Sequence, residues 1–285
     1  MGGDRSDNDR NMFERIKKTL RNIRRIEDVE TLAASLSLEL DALRSKLDVG
    51  EELLERFRRE RMSEAYQAVY RKPDPKVSVC IVTYNRGRLL TERCLPTVLG
   101  QTYRNLEVIV VGDCCTDDTS ARMSALADPR LTFINLPERG AYPEEPELRW
   151  MVAGTTPMNH ALGISTGDLV THLDDDDEFA PDRVRKLVGC IQESRADLVY
   201  HPFWSQTNAG GWGLNKAERL GKGQVTTSSI LYHRWLNNIP WDINAYRYRE
   251  PGDWNRLRKL LYIGAKAVRY PEPLLKHYRE RNQGS

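Results

Sequence analysis

Five short apolar runs, spaced by helix-length stretches, constrain this chain more than any other feature. VSVCIVT (77–83) is apolar on both faces, as a buried strand is, and LEVIVVG (106–112), LTFINL (131–136), DLVTHL (168–173) and DLVYHPFW (197–204) follow it as strands two to five. Between them RLLTERCLPTVL, DDTSARMSALA, TPMNHALGIS and PDRVRKLVGCIQES read as helices. Pro96 must kink the first or mark its first turn. Thr116 or Asp117 caps the second, Gly167 ends the third, and Pro181 opens the fourth at its N1 position. Such alternation predicts an α/β fold, with a mainly parallel sheet and crossover helices.

The part before the strands is different. Residues 1–72 contain no proline, and no glycine between Gly3 and Gly50. Ile26, Val29, Ala33, Leu36, Leu40, Leu43 and Leu47 recur at alternating intervals of three and four, a heptad seam on a helix. Gly50 is expected to end that helix, and EELLERFRRERMSEAYQAVY to start a second one reaching Tyr70. Two readings stand level: a helical hairpin packed on the main domain or on itself, and a short coiled coil that forms a homodimer. About three heptads is short for an independent coiled coil. RIKKTLRNIRRI adds a basic face from Ile16 to Ile26, read as solvated, with peripheral contact to an anionic membrane surface the less favoured reading. RKPDPK (71–76) is a proline-punctuated linker, so residues 1–72 are expected to be a helical extension and 73–285 the α/β domain. Within that domain, residues around 77–180 form one half and residues around 181–285 the other.

Composition removes several alternatives. Apolar residues make up 40% and charged residues 29% of 285, which fits a soluble globular chain. No apolar run approaches the ~20 residues that span a bilayer, and the N-terminal MGGDRSDNDRNMF lacks the apolar core of a secretory signal. A net charge of +2 gives no ground for a nucleic-acid partner. Five cysteines (Cys80, Cys94, Cys114, Cys115, Cys190) show no C-x-x-C pair, so reduced thiols in a cytoplasmic protein are expected.

Ligands of an open parallel sheet sit off the carboxyl ends of its strands. Here strand one ends in Thr83-Tyr84-Asn85-Arg86, strand two in Gly112-Asp113, and strand four in THLDDDDEF. Neither G-x-G-x-x-G nor G-x-x-x-x-G-K-[ST] occurs at any of them. On an extended backbone Asp174 and Asp176 would point one way and Asp175 the other. Two carboxylates on one face suit Mg2+ or Mn2+, which neutralises a diphosphate in turn. Helix capping by Asp177 and Glu178 explains one or two of these acids but not all, and the pattern excludes an EF-hand loop.

The motifs VSVCIVTYNRGRLL, LPTVLGQTYRNLEVIVVGDCCTDDT, MNHALGISTGDLVTHLDDDDEFAPDRV and EPGDWNRLRKLLYIGAKAVRYPEPLLKHYR occur in this order. Together they make residues 77 to about 280 resemble a family 2 inverting glycosyltransferase of the GT-A fold, a Rossmann-like sheet with helices on both faces. The resemblance implies transfer from a nucleotide diphosphate sugar with inversion, the half around 77–180 facing the donor and the half around 181–285 the acceptor. It places Tyr84 against the base, Thr83 beside it, and Asp113 as acceptor of a pyrimidine N–H, which favours a UDP-sugar. Asn85 and Arg86 fall in the same segment, and Asn159 in the segment beside the nucleotide. The D-x-D motif falls on Asp174-Asp175-Asp176, with Asp176 the best metal ligand and Asp175 near the ribose. Asp253 is the expected base and helix N-cap, with Glu250 the alternate, while His277 is a candidate ligand near the metal and diphosphate, set against a packed histidine on a terminal strand face. Arg279 and Arg281 are candidate diphosphate contacts, whereas His172 and His201 read as packed.

The chain also departs from the family pattern. Cys114-Cys115 stands where Gly-Ser is usual, read as a loop substitution over a vicinal disulfide. Met158 replaces the usual arginine before Asn159, and the 137–156 connection is long, either a lid or a plain insertion. Trp204, Trp212, Trp235, Trp241 and Trp254 include candidates for an acceptor platform. The acceptor class itself, whether glycan, lipid carrier, protein or small molecule, is not encoded in a motif. The competing readings are a nucleotidyltransferase of similar fold and a catalytically weak assembly module.

Overall fold

A computed structural model describes the backbone of residues 4–279 and the side chains of residues 28–279. The described residues fall into two compact units, one ending at Gly50 and one starting at Glu51. The first is helical. Helix α1 (Asp4–Arg61) leaves helical geometry at Gly50, where φ is 73° and ψ 165°, values that glycine tolerates for want of a Cβ. The seam residues Val29, Leu36, Leu40, Leu43 and Leu47 are 46–84% exposed. Ile26 and the basic face before it lie outside the described side chains.

The second unit begins earlier than the linker predicts. Phe57, Tyr66 and Tyr70 are buried, and the fully buried Asp197 holds this segment in place. Its carboxylate accepts from Arg61 Nε at 2.8 and 2.9 Å, Tyr66 Oη at 2.8 Å, Tyr70 Oη at 3.1 Å and the Lys266 amide at 2.7 Å. The Tyr66 ring stacks on His233 at 3.6 Å. Residues 51–72 therefore pack as part of the α/β unit, and the border lies at Gly50 rather than at 72.

The strands are β1 (Val77–Thr83), β2 (Leu106–Gly112), β3 (Leu131–Asn135), β4 (Leu169–Asp174), β5 (Glu178–Phe179), β6 (Leu198–Tyr200), β7 (Phe203–Gln206), β8 (Trp212–Asn215), β9 (Ile230–His233), β10 (Ala267–Arg269) and β11 (Leu275–His277). Seven form the main sheet in the order β10-β6-β9-β4-β1-β2-β3. Its centre is parallel, with β1 flanked by β2 and β4, and β9 runs antiparallel to both β4 and β6. Val77, Val79, Ile81, Val108, Val110, Leu169, Val170 and Leu173 in these strands are fully buried. The reversal of strand order at β1 and β4 opens a crevice at their carboxyl ends.

Several local expectations change. The second and fourth predicted helices start after Asp118 and Asp182, so neither Thr116 nor Asp117 caps the one and Pro181 precedes the other. The third ends at Ile164, before Gly167. DLVYHPFW is not one strand: Pro202 interrupts it, β6 stays in the main sheet, and β7 joins a second sheet ordered β5-β11-β7-β8. Pro96 enters its helix in the first turn, after a π-helical stretch at Leu90–Cys94 in which Leu95 N–H bonds Leu90 O. That wider turn replaces the i–4 bonding a proline disrupts. The last helix spans Gly252–Tyr262 with Pro251 as its N-cap, so Asp253 lies inside the first turn rather than capping it.

Candidate active site

The crevice is built where three strand tips are laced together. At the end of β1, Asn85 adopts φ 52°, which asparagine accepts more readily than most residues. Its Oδ1 accepts from Thr116 N at 2.8 Å, tying β1 to the loop after β2. Asp113 N–H donates to Thr83 O at 2.9 Å. A Cβ on Gly112 would lie 2.5 Å from Asn135 Oδ1, so only glycine lets β2 approach β3 here. Cys114 and Cys115 are free thiols, in line with a loop substitution. Thr83, Tyr84, Asn85 and Asp113 thus lie around one corner, although Asn85 acts on backbone there.

At the tip of β4 the acids divide into two sets. The strand ends at Asp174, and a turn follows in which Asp177 N–H bonds Asp174 O at 3.1 Å. Strand alternation stops there, so the partner of Asp174 is Asp177, not Asp176. Ligand atoms of Asp174, Asp177 and His277 all lie within 4.8 Å of one another. The fully buried Asp177 takes His277 Nδ1 at 2.9 Å and the Tyr278 amide at 2.9 Å. Asp176, expected as first metal ligand, instead accepts from Arg86 at 2.7 Å, and Asp175 shares that guanidinium at 3.2 Å. Arg86 therefore supplies one of the cations that offset the acidic run.

Burial and mutual repulsion shift these groups. Burial, then the charges of Asp177 and Asp176, raise Asp174 to about 8. Burial raises Asp175 to about 6 against the pull of Arg86. Burial opposes a proton on His277, but the hydrogen bond and charge of Asp177 prevail and move it up to about 9. Three donors, two carboxylate and one imidazole, in a site whose charge is incompletely balanced fit a divalent cation such as Mn2+.

Asp253 and Glu250 differ sharply. Asp253 is pushed up by burial, while the Trp254 amide at 2.6 Å and the charges of Lys222 and His277 favour its ionised form. Glu250 is 2% exposed and bound to Arg258 Nε at 2.9 Å and Asn255 Nδ2 at 2.8 Å. A carboxylate engaged this way is a structural ion partner rather than a base.

Other expected residues lie elsewhere. Asn159 exchanges both side-chain hydrogen bonds with the Trp241 backbone, at 2.9 and 2.8 Å. It lines a cavity of about 590 Å3 with Tyr66, His233 and Trp235, and His233 pairs with Leu169 at the far end of β4 from Asp174. Both side-chain hydrogen bonds of Asn159 are thus spent on the Trp241 backbone. Arg279 binds Asn208 and Gln206 in the β7–β8 hairpin, and Arg281 lies outside the described residues. His172 bonds Tyr232 Oη at 2.8 Å and His201 accepts from Arg183 at 3.0 Å, both fully buried. Of the five tryptophans named as platform candidates, Trp204 and Trp212 are exposed and Trp241 is buried.

The sequence model described as Glycosyl transferase family 2 matches residues 78–143 and 155–249. The chain belongs to glycosyltransferase family 2. Chondroitin synthase of Escherichia coli is 30% identical over 231 residues, covering 71% of this chain and 30% of that protein. Among solved structures, residues 1–349 of Staphylococcus aureus TarS with UDP-GlcNAc align at TM-score 0.57 and 18% identity, covering 73% of this chain and 60% of that one. The mannosyltransferase PcManGT of Pyrobaculum calidifontis, with GDP-Man and Mn2+, aligns at 0.53 and 19% identity, covering 86% and 70%. These two likenesses are of fold. The chain spans less than half the length of several curated relatives it matches. No helix among the described residues is long and apolar enough to cross a membrane.

Two groups at this glycosyltransferase's crevice escaped the sequence reading. In the sequence Asp177 stands out only as a helix cap, because strand alternation carried past the end of β4 pairs Asp174 with Asp176. Arg139, whose guanidinium lies 3.6 Å above the Tyr84 ring, carries no motif signal in its own segment.

Proposed function

We propose that this glycosyltransferase moves a sugar from a UDP-sugar to an acceptor hydroxyl with inversion, and that it requires a divalent cation. The observation that carries the reading is the convergence of Asp174, Asp177 and His277 at the tip of β4, beside the strand ends that bear Tyr84 and Asp113. A cation held by these three would neutralise the charge that develops on the departing diphosphate. His277 must give up its proton to serve as a ligand, so cation binding is coupled to proton release.

The remaining roles belong to the chain itself. Tyr84 offers a ring for the base, and Asp113 an acceptor for the N–H that uracil presents. Asp253 takes the proton of the acceptor hydroxyl as its oxygen attacks the anomeric carbon. The bond from that carbon to the diphosphate oxygen breaks, and its electron pair leaves with UDP. Attack opposite the leaving group inverts the centre. UDP in the TarS complex supports this donor, and GDP-Man in the PcManGT complex makes a guanosine donor the competitor to exclude.

A panel of UDP- and GDP-sugars incubated with the protein and Mn2+ tests the reading. Release of UDP is expected, and Asp174→Ala should abolish it. Release that survives in Asp174→Ala would remove the cation assignment, and release of GDP alone would remove the uridine assignment.

A further inference from the structure

The two groups assigned to the base are already in contact with another part of the chain. The Arg139 guanidinium carbon lies 3.6 Å from the centre of the Tyr84 ring. Its Nε lies 3.8 Å from Asp113 Oδ2. The next residue completes the arrangement, with Gly140 N–H donating to Asp113 Oδ1 at 3.1 Å. A Cβ on Gly140 would meet the Tyr142 ring at 2.4 Å and Thr156 Oγ1 at 2.5 Å. The segment is therefore fitted closely over the β2 tip, and Leu136 N–H to Gly112 O at 2.9 Å fixes its start.

A guanidinium shares two features with the imide edge of uracil: it is planar, and it presents N–H donors in that plane. Lying over the tyrosine ring with Nε at ion-pair distance from the aspartate, it sits against both groups a base would use. Because one guanidinium touches both, it covers the face of Tyr84 that looks toward Asp113. A base stacking there and bonding Asp113 must take the same space.

We propose that Arg139 is an intramolecular occupant of the base position, and that a nucleotide binds by displacing it. This rests on the reading of Tyr84 and Asp113 as the base site. Displacement lowers apparent affinity by the fraction of molecules in which the position is covered. The reduction is the same for every nucleotide, because the occupant leaves before any base enters. A residue that contacted the bound base would behave differently, since its removal would weaken binding and alter selectivity. The partly exposed stacking and ion pair set the size of the effect at roughly three- to tenfold. Salt weakens the ion pair with Asp113, so the effect should shrink as ionic strength rises.

Calorimetric titration of UDP, CDP and GDP, with Mn2+, into the full chain and into Arg139→Ala and Arg139→Met tests this. Methionine keeps the bulk of the side chain and removes the planar fork, so it controls for altered loop folding. The expected result is tighter binding of every nucleotide that binds at all, by one common factor in both variants, with the UDP:CDP ratio unchanged. Unchanged or weaker UDP binding in both variants, or a changed UDP:CDP ratio, would overturn the occupant role and leave the base site standing. Absence of binding by any nucleoside diphosphate to all three proteins would overturn the base site and the occupant together.

Discussion

Asp253 and Glu250 lie three residues apart, and their surroundings assign them opposite tasks. Glu250 is buried with Arg258, and removing one partner of a buried ion pair leaves the other uncompensated, at roughly 3–5 kcal/mol. Glu250→Gln should therefore lower the urea midpoint. Asp253→Asn should leave the midpoint near that of the wild type and reduce turnover by ~10²–10⁴-fold, the range of a lost general base. A folded Glu250→Gln protein with wild-type stability and no turnover would reverse the assignment. His233 gives a test in pH. Burial pushes it down to about 4, against about 6.5 when unfolded. Between these values the unfolded chain binds more protons, so this residue's contribution to stability is lost as pH falls through the window, by up to ~1.4 kcal/mol per pH unit. The raised acids at the β4 tip act in the opposite sense, so the effect of His233 is isolated by comparison with His233→Gln. On acidification from pH 7 to 5 the wild type should lose stability relative to that variant, and parallel profiles would contradict the shift.

At the scale of elements, Asp197 decides where the catalytic unit begins. It gathers Arg61, Tyr66 and Tyr70, so truncation at Gly50 should preserve the melting temperature. Truncation through Lys72 removes all three partners and should lower it by roughly 10 °C. Equal melting temperatures would place the border at the proline linker after all. The sequence made β1, β2, β3 and β4 legible because each is a continuous apolar run, and their tips were legible because polar residues cluster where apolar ones stop. The antiparallel β9 and the second sheet were not, since strands of two to four residues hold too little pattern to separate them from loops. His277 appeared as a candidate, but its pairing with Asp177 spans 100 residues and depends on β11 lying beside β5. The burial of Glu250 likewise depends on Arg258, which nothing in the motif marks.

For the whole molecule, the exposed heptad seam before Gly50 bears on self-association. If it forms a dimer seam, sedimentation should show a mass that rises with concentration in the full chain and stays monomeric from Glu51 onward. Identical masses for the two would end that proposal. The catalytic unit depends on a different joint, where the main sheet's β4 and the second sheet's β11 meet to bring two carboxylates and an imidazole together. Titration of Mn2+ into the protein with UDP, followed by the signal of free ion in paramagnetic resonance, tests that joint most directly. One UDP-dependent ion per chain, lost in both Asp174→Ala and Asp177→Asn, is the expected result. Full UDP release from a UDP-sugar after complete chelation, with no ion bound, would contradict it.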